Sequence, residues 1–240
     1  MVGWIVRRRP GAVSAAYEEV ERAEQAFYIN YLREGMTVFD VGANVGELSL
    51  LFSRFIGSGT VHAFEASARV YASLTAVLSA TGRRNVIANN VAMSDRSGTV
   101  RLHCYEGAYQ SWNSLARRPL EQYGIDVQST HHEDVPASTV DEYCRTHGIA
   151  QIDLLKVDVE GAELQVLQGA AGMLASRRVG CVTFEFGQTT FDMGNTPRQL
   201  QELLHAHGYA IRNVVKGDPL FPGGQHVRTA RFAMHVATPR

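Results

Sequence analysis

Apolar positions along this 240-residue chain switch repeatedly between short unbroken runs and i, i+3/i+4 spacing, and the switching persists to the C-terminus. That pattern predicts strands interleaved with helices in an α/β sheet. Short apolar runs at residues 37–41, 60–64, 85–92, 152–157, 180–186, 209–215 and 230–236 read as strands. Between them, Val70, Leu74, Val77 and Leu78 make one helical stripe, and residues 14–34, 46–56 and 162–174 read as further helices. Thr139 with Glu142, and Thr196-Pro197-Arg198-Gln199, are helix N-terminal signatures. Residues 98–105 alternate Val100, Leu102, Cys104 against Thr99, Arg101, His103, which predicts an extra half-buried strand. The Gly217-Asp218-Pro219 and Pro222-Gly223-Gly224 turns fold the end of the chain into a hairpin. The expectation is a doubly wound, seven-stranded sheet whose last strand is antiparallel.

Nothing interrupts this alternation as a linker would, so residues 1–240 read as one domain with a leading helical segment, 1–35. Residues 106–136 lose periodicity and are longer than an ordinary connection, which marks a substrate-side insertion. Lys plus Arg number 23 against 24 Asp plus Glu, so no global field recruits nucleic acid. The three cysteines are scattered, which argues for reduced thiols. Residues 1–10 place Arg7-Arg8-Arg9 after a short apolar stretch, the reverse of a signal peptide, and read as a solvated tail. No run is long enough for a membrane span, and a cytoplasmic protein is expected. Oligomeric state stays open, a homo-oligomer included.

Chemistry concentrates at Val38-Phe39-Asp40-Val41-Gly42-Ala43-Asn44-Val45-Gly46, an apolar strand running into a glycine turn and then a helix. Glycines let a backbone pass close under a nucleotide cofactor. Asp40 stands where a dinucleotide fingerprint carries its first glycine. A carboxylate there repels pyrophosphate and suits an ammonium and a sulfonium, which points to S-adenosylmethionine. Asp40, Gly42, Ala43, Asn44 and Gly46 are therefore the expected cofactor loop. Glu65 ends the next strand at the position where an acid accepts hydrogen bonds from ribose hydroxyls. Ala66 follows it, and Val91 and Ala92 in the loop 89–94 are the expected adenine neighbours.

Ligands of open α/β sheets bind at the carboxyl ends of the strands. Asp158, Glu160 and Glu185 close the later strands. Asp158 is the candidate base or hydroxyl clamp, with Glu160 beside it, since transfer to a hydroxyl needs orientation and a proton acceptor. A hard divalent cation on Asp158, Glu160 and Glu185 is the other reading of the three acids. Trp112, Asn113 and Ser114 mix an aromatic face with polar groups, a composition that recognises a sugar or polyol; a packed lid has the same composition. Glu185 is expected on the acceptor side. His131-His132-Glu133-Asp134 reads as a solvated loop rather than a metal cluster, because adjacent loop residues seldom point at one ion.

The strings Phe39 to Gly46 and His62 to Ala66, the segment Asn113-Ser114-Leu115 and the block Leu154 to Gly169 together resemble the FkbM family of S-adenosylmethionine-dependent methyltransferases, over about residues 36–186. The family's D-V-G-A-N-x-G is matched by Asp40 to Gly46. Its K-x-D-V-E-G followed by an acid is matched by Lys156, Asp158, Glu160, Gly161 and Glu163. The resemblance implies a class I Rossmann-like fold and O-methylation of a sugar, glycan or natural-product hydroxyl. A catalytically silent S-adenosylmethionine-binding module and an NAD-dependent oxidoreductase are the competing readings.

Overall fold

The computed structural model describes residues 15–240; the arginine cluster and the first residues of the leading segment lie outside them. Helix α1, Ala15–Tyr31, precedes β1, Thr37–Val41. Then come α2, Glu47–Phe55, β2, Thr60–Phe64, α3, Ala68–Thr81, and β3, Val86–Asn89. Two short strands, β4, Ala92–Met93, and β5, Gly98–Cys104, lead into 3-10 turns at Gly107–Trp112 and Leu120–Tyr123. The chain continues through β6, His131–Ser138, α4, Val140–His147, β7, Leu154–Val157, α5, Glu163–Gln168, and α6, Ala171–Ala175. It closes with β8, Val182–Phe186, α7, Gln188–Asp192, α8, Pro197–Ala206, β9, Tyr209–Asn213, and β10, Ala233–Pro239.

The main sheet has seven strands in the order β3-β2-β1-β7-β8-β10-β9, with β10 antiparallel to both of its neighbours. This is the expected doubly wound, Rossmann-like fold. Strand order reverses between β1 and β7, whose register sets Asp40 opposite Lys156. One face of the sheet is covered by α1 and α2 through Tyr28, Leu32, Phe52 and Ile56 against Val38, Val61 and Leu154; the other carries Phe39, Val41, Leu155 and Val157 under α4, α5 and α8. Every inward position of β1 and β7 is buried, as continuous apolar runs in a parallel sheet require.

Three expectations change. Residues 85–92 do not form one strand: the chain leaves the main sheet after Asn89, and Ala92–Met93 joins a second, three-stranded sheet in the order β4-β6-β5. The insertion 106–136 is not aperiodic throughout, because its end is β6, paired antiparallel along β5. Its inward row begins with His131 and Glu133 before Val135 and Ala137, so polar residues mask the alternation. The helix at 162–174 is broken into α5 and α6. Gly169 lies at the break against the carbonyl of Ser94, where a Cβ would overlap, and Asp141 caps α6 through Gly172 N and Met173 N at 2.7 and 2.9 Å.

Lys156, fully buried on β7, is the polar bolt at the strand reversal. Its Nζ lies 3.0 Å from Asp40 Oδ1 and 3.6 Å from Asp158 Oδ2, and donates to the carbonyls of Gly42 and Val41 at 2.9 and 3.3 Å. Asp40 Oδ2 accepts from Ser49 Oγ at 2.6 Å. Removing one partner of a buried pair strands the other charge, so Lys156→Met should lower the unfolding free energy in urea by about 3–5 kcal/mol. Asp40→Asn combined with Lys156→Met should recover most of that loss. Additive losses in the double variant would show that the pair is not coupled.

Candidate active site

A cleft of about 710 Å³, open to solvent on one side, lies at the carboxyl ends of β1, β2 and β7. Five groups of residues line it. Val41, Gly42 and Asn44 come from the turn after β1, and Phe64, Glu65 and Ala66 from the end of β2. Val91, Ala92, Met93, Val70 and Leu102 make an apolar wall, while Asp158, Val159, Glu160 and Ala162 come from the turn after β7. Gln110, Ser111, Asn113 and Leu115 close it from the insertion.

The turn after β1 is shaped by contacts with the turn after β7. Gly42 adopts φ +77° and a Cβ there would overlap the Asp158 carbonyl oxygen, so only glycine fits. Asp158 N in turn donates to Val41 O at 3.1 Å. Glu160 has φ +54° and Gly161 +111°, a left-handed pair that turns the chain sharply at the cleft. Fully buried Glu163 holds this turn: its Oε1 accepts from Val159 N and Gly161 N, each at 3.1 Å. Burial pushes the Glu163 carboxyl up to about 7.

Glu65 is the best-prepared group in the cleft. Oε2 accepts from Asn44 N at 3.0 Å and Oε1 from Ser67 N at 2.9 Å. Each oxygen keeps acceptor capacity beyond its one backbone donor. Burial raises its carboxyl to about 7, against the lowering effect of those two N–H groups. Asn90 Nδ2 fixes the turn by donating to Glu65 O and Ala66 O, both at 2.9 Å.

At the other end, Asp158, Glu160 and Glu185 converge, with ligand oxygens all within 4.8 Å of one another. Asp158 and Glu160 line the cleft, whereas Glu185 is 2% exposed and lies behind them. Arg118 Nη1 lies 3.3 Å from Glu160 Oε2, and Lys156 pairs with Asp158. Two of the three acids thus already face a protein cation, and the donor set is better suited to an acidic wall than to a dedicated cation cage.

Several expected site residues lie elsewhere. Asp40 is fully buried against Lys156 and Ser49 and does not line the cleft; the sequence placed it at the ligand, but its charge is consumed inside the sheet. The contrast with a dinucleotide loop drawn from Asp40 alone therefore fails, and Asp158 is the acid that faces the cleft from this region. Ala43 and Gly46 also sit outside the lining, Gly46 at the start of α2 where a Cβ would press on Leu74. Trp112 packs with Tyr105 and Leu120 in a small core of the insertion. Ser114 donates through Oγ to Glu160 O at 2.7 Å, and Asn113 accepts from Tyr105 N at 2.8 Å while lining the cleft. His131 and His132 belong to β6 rather than a loop. Cys104, His131 and Glu133 come within 4.8 Å of one another, but Glu133 serves the start of α3 through Ala68 N at 3.0 Å. Cys104, Cys144 and Cys181 are free and buried, as expected of reduced thiols.

Residues 40–211 match the methyltransferase FkbM domain, and the chain belongs to the FkbM methyltransferase family. It is 31% identical over 216 aligned residues to the 31-O-demethyl-FK506 methyltransferase FkbM of Streptomyces tacrolimicus, covering 80% of this chain and 78% of that protein. It is 26% identical to the 2-O-methyltransferase NoeI of Sinorhizobium fredii, covering 70% of each. Among solved structures it shares the fold of methyltransferase FkbM from Methylobacillus flagellatus, with a TM-score of 0.53 and 13% identity over 88% of this chain and 50% of that one. A SAM-dependent methyltransferase from Aquifex aeolicus superposes with a TM-score of 0.50 and 12% identity over 94% and 93% of the two chains. The protein is a methyltransferase by family.

Glu163 yields a pH test. A carboxyl raised to about 7 when folded, above its ordinary 4.5, favours the native state fully below that ordinary value and loses the contribution as pH rises through about 7. Glu163→Gln keeps an acceptor for the two N–H groups and removes the ionisation. Its stability relative to wild type in urea should therefore grow between pH 5 and pH 8. Parallel curves would show that Glu163 does not titrate in that window.

Proposed function

We propose that this protein is an S-adenosylmethionine-dependent O-methyltransferase acting on a hydroxyl of a sugar, glycan or natural-product acceptor. The observation that carries the reading is Glu65: a buried carboxylate at the end of β2, with one backbone donor on each oxygen and the cleft in front of it. That is a receptor for two ribose hydroxyls. The apolar wall of Val70, Val91, Ala92, Met93 and Leu102 suits an adenine ring. Named relatives that act at oxygen, the FK506 31-O and the 2-O methyltransferases, support the acceptor class.

The bound cofactor supplies a methyl group on a sulfonium. Gly42 and Asn44 would hold it through their backbone, and the carboxylates of Asp158 and Glu160 would offset its positive charge. Asp158, on the cleft and within reach of Lys156, would accept the proton of the acceptor hydroxyl as its oxygen takes the methyl group and the methyl–sulfur bond breaks, leaving S-adenosylhomocysteine. Asn113, Ser111 and Gln110 offer amide and hydroxyl groups to the acceptor.

Calorimetric titration with S-adenosylhomocysteine and NAD tests the cofactor. Glu65→Gln should weaken S-adenosylhomocysteine binding by about 1.5–3 kcal/mol, the range for hydrogen bonds to a charged group. Because ribose hydroxyls favour the ionised carboxylate, wild-type affinity should rise as pH passes through about 7, with proton release on binding. NAD uptake without S-adenosylhomocysteine uptake would overturn the reading.

Asp158→Asn tests the chemistry with a panel of methyl hexopyranosides and hydroxylated macrolactones as acceptors. The expected fall in kcat is about 10²- to 10⁴-fold, the contribution of positioned acid–base catalysis, with S-adenosylhomocysteine affinity little changed. Unchanged kcat would remove Asp158 from proton transfer. Wild-type turnover abolished by EDTA and restored by Mg²⁺ would assign the Asp158, Glu160 and Glu185 cluster to a cation instead.

A further inference from the structure

Arg118 occupies a position that the family motifs do not explain. It lies in the insertion, yet its side chain is only 8% exposed and bridges two carboxylates of the main domain. Nη1 lies 3.3 Å from Glu160 Oε2, at the lip of the cleft, and Nε 3.3 Å from Asp192 Oδ2, at the end of α7. Its Cζ stands 5.3 Å from the centre of the Trp112 ring. One guanidinium therefore joins the insertion core, the turn after β7 and the segment after β8.

Beyond β6, which is paired along β5, the 107–124 part of the insertion packs largely on itself. Tyr105, Trp112 and Leu120 form its own small cluster, packed by Tyr109, Ile125 and Val127 rather than by the main core. Among the described residues its polar ties include Ser114 Oγ to the Glu160 carbonyl at 2.7 Å, the bridge of His103 with Ser114 at 2.8 and 3.1 Å, and Tyr105 N to Asn113 Oδ1 at 2.8 Å. The same segment contributes Gln110, Ser111 and Asn113 to the cleft. A wall built on a semi-independent cluster needs an anchor at the site itself. Desolvating Arg118 with Glu160 and Asp192 is costly unless the geometry is good, and the forked guanidinium reaches both acids at once where a lysine ammonium reaches one.

We propose that Arg118 is a positioning residue, an ionic latch that fastens the 107–124 segment to Glu160 and Asp192 and so holds the acceptor wall against the carboxylate end of the cleft. This rests on the methyl-transfer reading for the identity of the acceptor, but not for the latch itself. Arg118 is not among the residues that line the cleft. It acts by placing Glu160 and the residues at 110, 111 and 113.

The test compares wild type with Arg118→Met, Arg118→Lys and Asp192→Asn by amide hydrogen exchange and steady-state kinetics. Arg118→Met keeps the stem over Trp112 and removes the charge. It should raise exchange across 107–124 by about tenfold or more while β1 and β7 stay protected, as local opening of a weakly tied unit requires. Arg118→Lys should fall between Met and wild type. With the methyl hexopyranoside of fastest wild-type turnover, acceptor KM in Arg118→Met should rise by more than the dissociation constant for S-adenosylhomocysteine. Wild-type exchange in Arg118→Met, or identical behaviour of Met and Lys, would overturn the latch and leave only packing. If Arg118→Met unfolds throughout, Asp192→Asn decides by the same exchange criterion. Failure of wild type to bind S-adenosylhomocysteine would instead sink the proposed function, with exchange still judging the latch.

Discussion

A buried lysine between two parallel strands is the constraint from which the site follows. Lys156 neutralises Asp40 across the β1–β7 seam and reaches past it to the carbonyls of Val41 and Gly42, where β1 ends. A lysine is rarely fully buried unless paired, and here every direction of its ammonium is used. The consequence is a turn whose backbone is pinned from below. Gly42 then packs so tightly on the Asp158 carbonyl that the turns after β1 and β7 behave as one unit. Cleft geometry is thus inherited from the strand register that sets Asp40 opposite Lys156.

On this frame the remaining acids divide by environment. Glu163 is fully enclosed and bonds the turn it sits under; Glu65 is enclosed but faces the cleft. Desolvation raises both carboxyls to about 7, and only Glu65 can regain what it lost by meeting hydroxyl donors. Asp158 and Glu160 keep protein cations beside them, Lys156 and Arg118. A carboxyl perturbed by burial and facing a cleft, as Glu65 is, marks a candidate site, and the cations beside Asp158 and Glu160 come from two sides, the sheet and the insertion.

The doubly wound sheet, its antiparallel last strand and the positions of Glu65 and Asp158 at strand ends are legible because parallel strands buried on both faces write themselves as apolar runs, and strand ends as acids after those runs. Asp40 was misread for a related reason. An acid in a fingerprint position looks identical in sequence whether it meets a ligand or a lysine on the neighbouring strand. Trp112 left two readings open, because an aromatic among amides fits a sugar platform and a small core equally well; it packs in the insertion cluster, and Gln110, Ser111 and Asn113 are on the cleft. β6 was hidden by His131, Glu133 and Pro136, and Arg118 had no local signal, since its partners lie at 160 and 192.

A crystal structure with S-adenosylhomocysteine tests the central claim most directly. The ribose hydroxyls should lie within hydrogen-bond distance of the Glu65 carboxylate, the adenine against Val91, Ala92 and Met93, and the sulfur toward Asp158. A ligand bound away from Glu65, or one whose sulfur faces away from the turn after β7, would contradict the account.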